Sequence, residues 1–183
     1  ARIREYLEII AKEAMRARDT TQRLLAFARP ESGRRNPVWL QREAAEVVTM
    51  LDHSAQRVGV TLQASHGPDV PPVLGDPADL RQVIFNLVKN AIDASPQGTK
   101  IRIQTRLVEG KVALEVADEG SGIRVKPIEA IFDPFVTTKE PGKGTGLGLA
   151  ISHRIVTDHG GSLRAKNLEP HGALFTIALS PIG

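Results

Sequence analysis

The chain has 183 residues, 41% hydrophobic and 25% charged, enough for one globular domain with its own core plus a small extra element. It contains no cysteine, which excludes disulfides, thiolate metal sites and a cysteine nucleophile, and it shows neither an apolar run long enough to span a membrane nor a signal-peptide pattern. The formal net charge of +3 is local: residues 1–35 carry nine Lys or Arg against five acids, which leaves the remainder at −1, and with few aromatics to stack bases no nucleic-acid partner is expected.

Ile3, Leu7, Ile10, Ala14, Ala17, Thr21, Leu24 and Ala28 recur at alternating spacings of four and three, which predicts one long N-terminal helix with a seam for a partner. Arg29-Pro30-Glu31-Ser32-Gly33 stops it, because proline cannot continue the helical hydrogen bonds. A helix over 1–30, a linker over 31–36 and a main domain over 37–183 are therefore expected; the alternative is that the helix simply packs as the first element of the main domain. Beyond the linker, Val38-Trp39-Leu40 reads as a short strand, 43–57 as a helix with Ala44, Val47, Val48, Leu51 and Ala55 inward, and 58–64 as a strand. Pro68, Pro71 and Pro72 mark a turn before a brief extended Val73-Leu74.

Asp76-Pro77-Ala78-Asp79 is a strong helix start, with an Asp cap, proline at the first helical position and an acid in the first turn. The helix runs to about Ser95, with Leu80, Val83, Ile84, Leu87, Ala91 and Ala94 sharing one face and Asn86 and Asn90 stacked one turn apart along its edge. Asparagine is a mediocre helix former, so the pair points either to a ligand or to a local hydrogen bond with a neighbouring loop. Two alternating strands follow, 101–107 and 112–116, joined as a hairpin across Glu109-Gly110. The second runs into Asp118-Glu119-Gly120-Ser121-Gly122-Ile123, which sets a carboxylate at a strand end with backbone close beside it; a plain glycine turn with a surface Asp is the other reading.

From Arg124 to Thr145 the chain is a long connection with one short helical stretch near Ile128 to Ile131, of the length used for lids and binding loops. Phe132 and Phe135 suit local packing anchors, while Thr137, Thr138, Lys139 and Lys143 supply hydroxyls and cations suited to phosphate or to solvent. Gly142, Gly144, Gly146 and Gly148 then alternate up to a helix over 147–159 with Leu147, Ala150, Ile151 and Ile155 on one face. Exposed amides and the helix dipole make that junction a ready anion site, and a structural turn is the alternative. The spacing fits neither G-x-x-x-x-G-K-[ST] nor G-x-G-x-x-G. Strands over 162–167 and 173–179 close the chain.

In this order the motifs resemble those of the ATP-binding catalytic domain of sensor histidine kinases, in the Bergerat-fold superfamily shared with gyrase-type ATPases, mismatch-repair ATPases and heat-shock chaperones. The N box is Leu80 to Ala94 with Asn86 and Asn90; the first G box is Asp118 to Ile123; the F box is Ile131 to Lys139; and the second G box is Gly144 to Leu149. The resemblance implies an α+β fold, a two-layer sandwich of a mixed sheet with helices on one face, preceded by the long N-terminal helix. That helix resembles the second helix of the family's dimerisation and histidine-phosphotransfer hairpin.

The resemblance implies ATP and Mg²⁺ as ligands, with Asn90 on the metal, Asn86 assisting, and Asp118 accepting a hydrogen bond from the adenine amino group. It has Gly120 and Gly122 let the nucleotide approach, with Ile123 in the same ATP-binding set, the amides of Gly146, Leu147 and Gly148 hold the phosphates, and Lys139 or Lys143 close from the lid. Lys89, Asp93, Phe132, Thr138, Gly144, Thr145 and Leu149 complete the implied ATP-binding set. Hydrolysing members place a glutamate, which activates water, where this chain has Asn86, and an amide is no general base, so transfer of the γ-phosphate is favoured over hydrolysis. None of His53, His66, His153, His159 and His171 stands in the acceptor-histidine context, so the acceptor is expected outside this chain. Expected partners are the acceptor-histidine helix, a response regulator and a second copy joined through 1–29, in a cytoplasmic setting with the parent protein free or membrane-anchored. A serine kinase or ATPase of the same superfamily, and a nucleotide-sensing interaction module, are the alternatives.

Overall fold

Among the described residues three helices, each longer than ten residues, form where apolar residues return every three or four positions, and each buries that stripe on the same face of one sheet. Residues 35–140 and 144–182, together with Tyr6, are described by the structure, a computed structural model of the chain. The expected helix over 1–30, linker residues 31–34, and Pro141, Gly142, Lys143 and Gly183 lie outside the described residues.

Helix α1, Leu40–Arg57, buries Leu40, Ala44, Val47, Leu51 and Ala55, while Val48 is only half-buried. It begins three residues before the expected start: Trp39 is its extended N-cap, with the Arg42 guanidinium 4.7 Å above the indole, so the short strand expected over 38–40 keeps only Val38 and lies instead over Asn36–Val38. Helix α2, Pro77–Ala94, starts where the sequence placed it, with Asp76 Oδ1 accepting from the Ala78 N–H at 2.8 Å. It stops because Pro96 drives Ser95 to extended geometry, φ −88° and ψ 131°. Leu80, Val83, Ile84, Leu87, Val88, Ala91 and Ile92 are buried, whereas Ala94, expected on the core face, is exposed at the helix end. Helix α3, Gly148–Asp158, buries Ala150, Ile151, Ser152 and Val156.

The main sheet has five strands: β2 (Thr61–His66), β4 (Lys100–Val108), β5 (Lys111–Ala117), β6 (Ser162–Asn167) and β7 (Ala173–Leu179). Their spatial order is β2-β4-β5-β7-β6, with β2 parallel to β4 and every other pair antiparallel. Alternation decides its faces: Ile101, Ile103 and Thr105 turn into the core while Arg102, Gln104 and Arg106 stay exposed. Cross-strand pairs Leu114 with Ile177 and Val116 with Phe175 continue the apolar face. All three helices pack on that face, and each large side chain buried there contributes about 1.5–3 kcal/mol. The β4–β5 hairpin turns on Glu109 (φ 49°) and Gly110 (φ 73°), two successive left-handed residues that match the strand twist.

Strand β2 starts at Thr61 rather than at 58, because Val58 and Val60 both donate their N–H to Ala55 O and close the end of α1. A two-stranded ribbon, β1 (Asn36–Val38) with β3 (Val73–Gly75), is bridged to Pro181 and so ties the start of the domain to its end. Arg35 adds a guanidinium donor to Asp158 O at 2.6 Å, at the C-terminal end of α3. Arg35 and Asn36, expected in the linker, are thus bound into the domain. The long connection after β5 carries one short 3-10 turn, Ile128–Phe132.

Candidate functional site

A cavity of about 350 Å³ opens between α2, the β5 end, the first residues of β7 and the loops flanking 141–143. Its first wall is a stripe along α2, where spacings of four and three bring Asn86, Asn90 and Asp93 onto one edge with Lys89 beside them. Its floor is Asp118, Ala173 and Phe175; its other walls hold Gly122 to Val125, Val136 to Lys139, Gly144 to Gly146, and Gly148 and Leu149.

Asp118 is 3% exposed, and its Oδ1 accepts from the Gly120 N–H at 2.8 Å and from the Ala173 N–H at 3.1 Å. Two amides therefore fix the carboxylate plane and leave Oδ2 for a ligand. Burial pushes the carboxyl above its ordinary value, and the Gly120 and Ala173 hydrogen bonds only partly oppose it. The loop beyond is braced by Asn167, whose Oδ1 accepts from the Ile123 N–H at 2.6 Å and whose Nδ2 donates to Ile123 O at 3.0 Å. Gly120 itself does not line the cavity and acts through its N–H on Asp118.

The other end is made of side chains. Lys139 Nζ reaches Asp93 Oδ2 at 2.8 Å and Asn90 Oδ1 at 3.3 Å, and Lys89 pairs with Asp93 Oδ1. Burial would raise the Asp93 carboxyl, but the hydrogen bonds from Lys139 and Lys89 outweigh it and hold the group below its ordinary value. Asn86 has a different setting: its Nδ2 donates to Gly148 O at 3.4 Å and to Ser152 Oγ at 3.3 Å, while Ser152 Oγ donates to the same carbonyl at 2.9 Å. Asn86 thus ties the first wall to the start of α3, whose N-cap, Leu147, offers no side-chain oxygen.

The loop reaches α3 through Gly146, at φ 66°, where a β-carbon would collide with the backbone of Phe135. Phe135 N–H donates to Gly146 O at 3.0 Å, joining the F box to the second G box. Thr138, Gly144, Thr145 and Leu149 all border the cavity. Phe132 does not: its ring stacks on His153 at 5.0 Å. Leu147 is 2% exposed, with its side chain in the core, so only its main chain could serve a ligand. Lys143 lies outside the described residues. None of the five histidines lines the cavity.

Sequence reasoning missed the apolar lining, chiefly Phe85, Val125, Ile131, Val136 and Phe175, and the braces Ala173, Ser152 and Asn167. Phe175 and Ala173 carried a signal as inward residues of an alternating strand that ends level with Asp118. Asn167 carried none, because its partner is 44 residues away.

The donors present suit Mg²⁺. Among the described residues no three His, Cys, Asp or Glu gather to cage a metal, but Asn90 Oδ1 already faces a cation, the Lys139 ammonium. Magnesium is commonly held by one or two protein oxygens together with phosphates and water.

Residues 75–182 match the family described as histidine kinase-, DNA gyrase B- and HSP90-like ATPase. The chain belongs to that family. Within this family, it is 35% identical over 176 residues to the signal transduction histidine-protein kinase AtoS of Escherichia coli K12, covering 96% of the chain but 29% of AtoS. The nucleotide-free catalytic domain of histidine kinase ThkA superposes with a TM-score of 0.72 at 31% identity, over 81% of this chain and 96% of that one. ThkA in complex with response regulator protein TrrA gives 0.77 at 27%, over 97% and 51%. Full-length ShkA in complex with AMPPNP gives 0.83 at 25% identity, over 100% of this chain and 40% of ShkA. The chain spans less than half the length of the curated relatives it matches. It is an ATP-binding catalytic domain of the sensor-histidine-kinase type. Among the described residues no helix is long and apolar enough to cross a membrane.

Proposed function

We propose that this domain holds Mg-ATP in the cavity between α2 and α3 and presents the γ-phosphate to a histidine outside residues 1–183. The observation that carries the reading is the pairing, in one cavity, of a buried carboxylate clamped by two amides with a cation-binding edge of Asn90 and Asp93. Asp118 Oδ2 accepts from the adenine amino group, and the main-chain amides at the start of α3 and the Lys139 ammonium meet the phosphates. Asn90 would hold Mg²⁺, which neutralises charge on the β- and γ-phosphates. Asn86 positions α3 through Gly148 and Ser152 and supplies no base. Transfer forms a bond from an imidazole nitrogen to phosphorus as the bond from the γ-phosphorus to the ADP oxygen breaks, and it requires mainly positioning and charge neutralisation from the protein.

In the parent protein, residues 1–30 act as the second helix of a dimerising hairpin, 31–36 as the linker, and 37–183 as the catalytic domain on the cytoplasmic side, with a response regulator as the downstream acceptor. The test is phosphorylation of a supplied acceptor hairpin in trans with labelled ATP. Acid-labile phosphate on the hairpin and none on this chain is expected. Acid-stable phosphoserine, or steady phosphate release without transfer, would point to the serine kinase or ATPase instead.

A further inference from the structure

The Asn90 end of the cavity is already organised around a cation, and that cation is one of the protein's own. A carboxylate oxygen, Asp93 Oδ2, and an amide oxygen, Asn90 Oδ1, converge on the single nitrogen of Lys139, at 2.8 and 3.3 Å. Lys89 takes the other carboxylate oxygen from the preceding turn of the same helix. The two partners of Lys139 lie 46 and 49 residues away, so the contact joins the loop to α2 and is not a by-product of local chain geometry. Lys139 is partly exposed, at 35%, and its long side chain has other rotamers to occupy. Asp93, for its part, is poorly placed for a polyphosphate: a carboxylate lining the cavity repels a tetra-anion unless a positive charge stands between them. Carboxylate and amide oxygens are both hard donors of the kind magnesium accepts beside phosphate.

We propose that Asp93 is a second protein oxygen donor, with Asn90, to the divalent cation that accompanies the nucleotide, and that the Lys139 ammonium occupies this cation site in the nucleotide-free protein. The proposal rests on the nucleotide-site reading above and adds Asp93 to its metal side. Loading is then a cation exchange at oxygens that stay put. Lys139 Nζ leaves Asp93 Oδ2 and Asn90 Oδ1 for the phosphate oxygens, the divalent ion takes its place, and Lys89 keeps Asp93 Oδ1. The carboxylate is compensated before and after, and metal and lysine exclude one another.

The exchange makes opposite predictions for its two members. With Mn²⁺ as a paramagnetic probe and no nucleotide, spin-resonance titration of the 183-residue chain is expected to show Lys139→Met binding Mn²⁺ several-fold more tightly than wild type, a gain lost in the Asp93→Asn, Lys139→Met double variant. By calorimetry, Asp93→Asn is expected to weaken Mg-ATP binding about tenfold or more, yet to leave ATP binding in EDTA unchanged or tighter. Asn keeps the size of the side chain and its bond to a lysine, and melting curves check that each variant folds. A Lys139→Met protein that binds Mn²⁺ no better than wild type, or an Asp93→Asn protein with wild-type Mg-ATP affinity, overturns the proposal. Equal loss of ATP affinity in Lys139→Met with and without metal, with Mn²⁺ binding unchanged, also overturns it and leaves the lysine as a phosphate ligand alone. Failure of the nucleotide-site reading looks different: wild type then binds ATP in neither condition.

Discussion

The two ends of the cavity are built on opposite plans. At Asp118 the donors are main-chain amides of Gly120 and Ala173, the carboxylate is buried, and a ligand meets an arrangement that two strands hold fixed. At Asn90 and Asp93 the contacts are ionic, made by long and partly exposed side chains of Lys89 and Lys139 that can be exchanged. A main-chain clamp suits the invariant part of a nucleotide, its base, because it costs little to hold in readiness. Exchangeable charges suit the phosphates, whose number and counterion change during a reaction.

The largest expected loss comes from the clamped end. Asp118→Asn is expected to lower ATP affinity by about a hundredfold, since a lost charged hydrogen bond is worth roughly 1.5–3 kcal/mol and the new amide presents a donor to a donor. Titration with ATP and with a purine nucleotide lacking the amino group checks it: the variant should lose its preference between them. Asn90→Ala is expected to cost less, about tenfold, and only when Mg²⁺ is present; an equal loss in EDTA would place Asn90 on the nucleotide rather than on the metal.

Acid should separate the ends in opposite directions. The Asp118 carboxyl is raised in the folded protein, so as pH falls toward its ordinary value of 3.8 it protonates before the unfolded chain does and stabilises the fold, while ATP affinity drops. The Asp93 carboxyl is lowered, so its ion pairs contribute stability above 3.8 and lose it only as pH falls below that value. ATP titrations from pH 7 to pH 4 should therefore lose affinity before melting curves show any loss traceable to Asp93, and Asp118→Asn should flatten the affinity profile alone. The smallest expected effect is a control. Gly110→Ala, in the hairpin turn at φ 73°, should cost about 1 kcal/mol of stability and leave ATP affinity untouched; a change in affinity would mean that the sheet transmits strain to the clamp.

What the sequence could show was local chemistry. The Asp76-Pro77 start of α2, the Glu109-Gly110 hairpin and the last two strands stand where residue patterns put them, because cap, turn and alternation are decided within a few positions. The start of α1 was misread because Trp39 is an extended cap without a capping side chain, and β2 because Val58 and Val60 turn back to Ala55. The asparagine pair was legible as an oddity, but not the difference between its members: Asn86 meets Gly148 and Ser152 more than 60 positions away, whereas Asn90 meets Lys139. The clamp on Asp118 was half legible, since Gly120 is two residues off and Ala173 is 55.

The cavity lining begins at Phe85, and nothing from α1 or from strands β1 to β3 reaches it. In a chain without cysteine, a single thiol introduced at Met50, 56% exposed on α1, would be a unique handle remote from the chemistry. A fluorophore there paired with one at Thr138 would turn the distance between scaffold and loop into a direct optical readout.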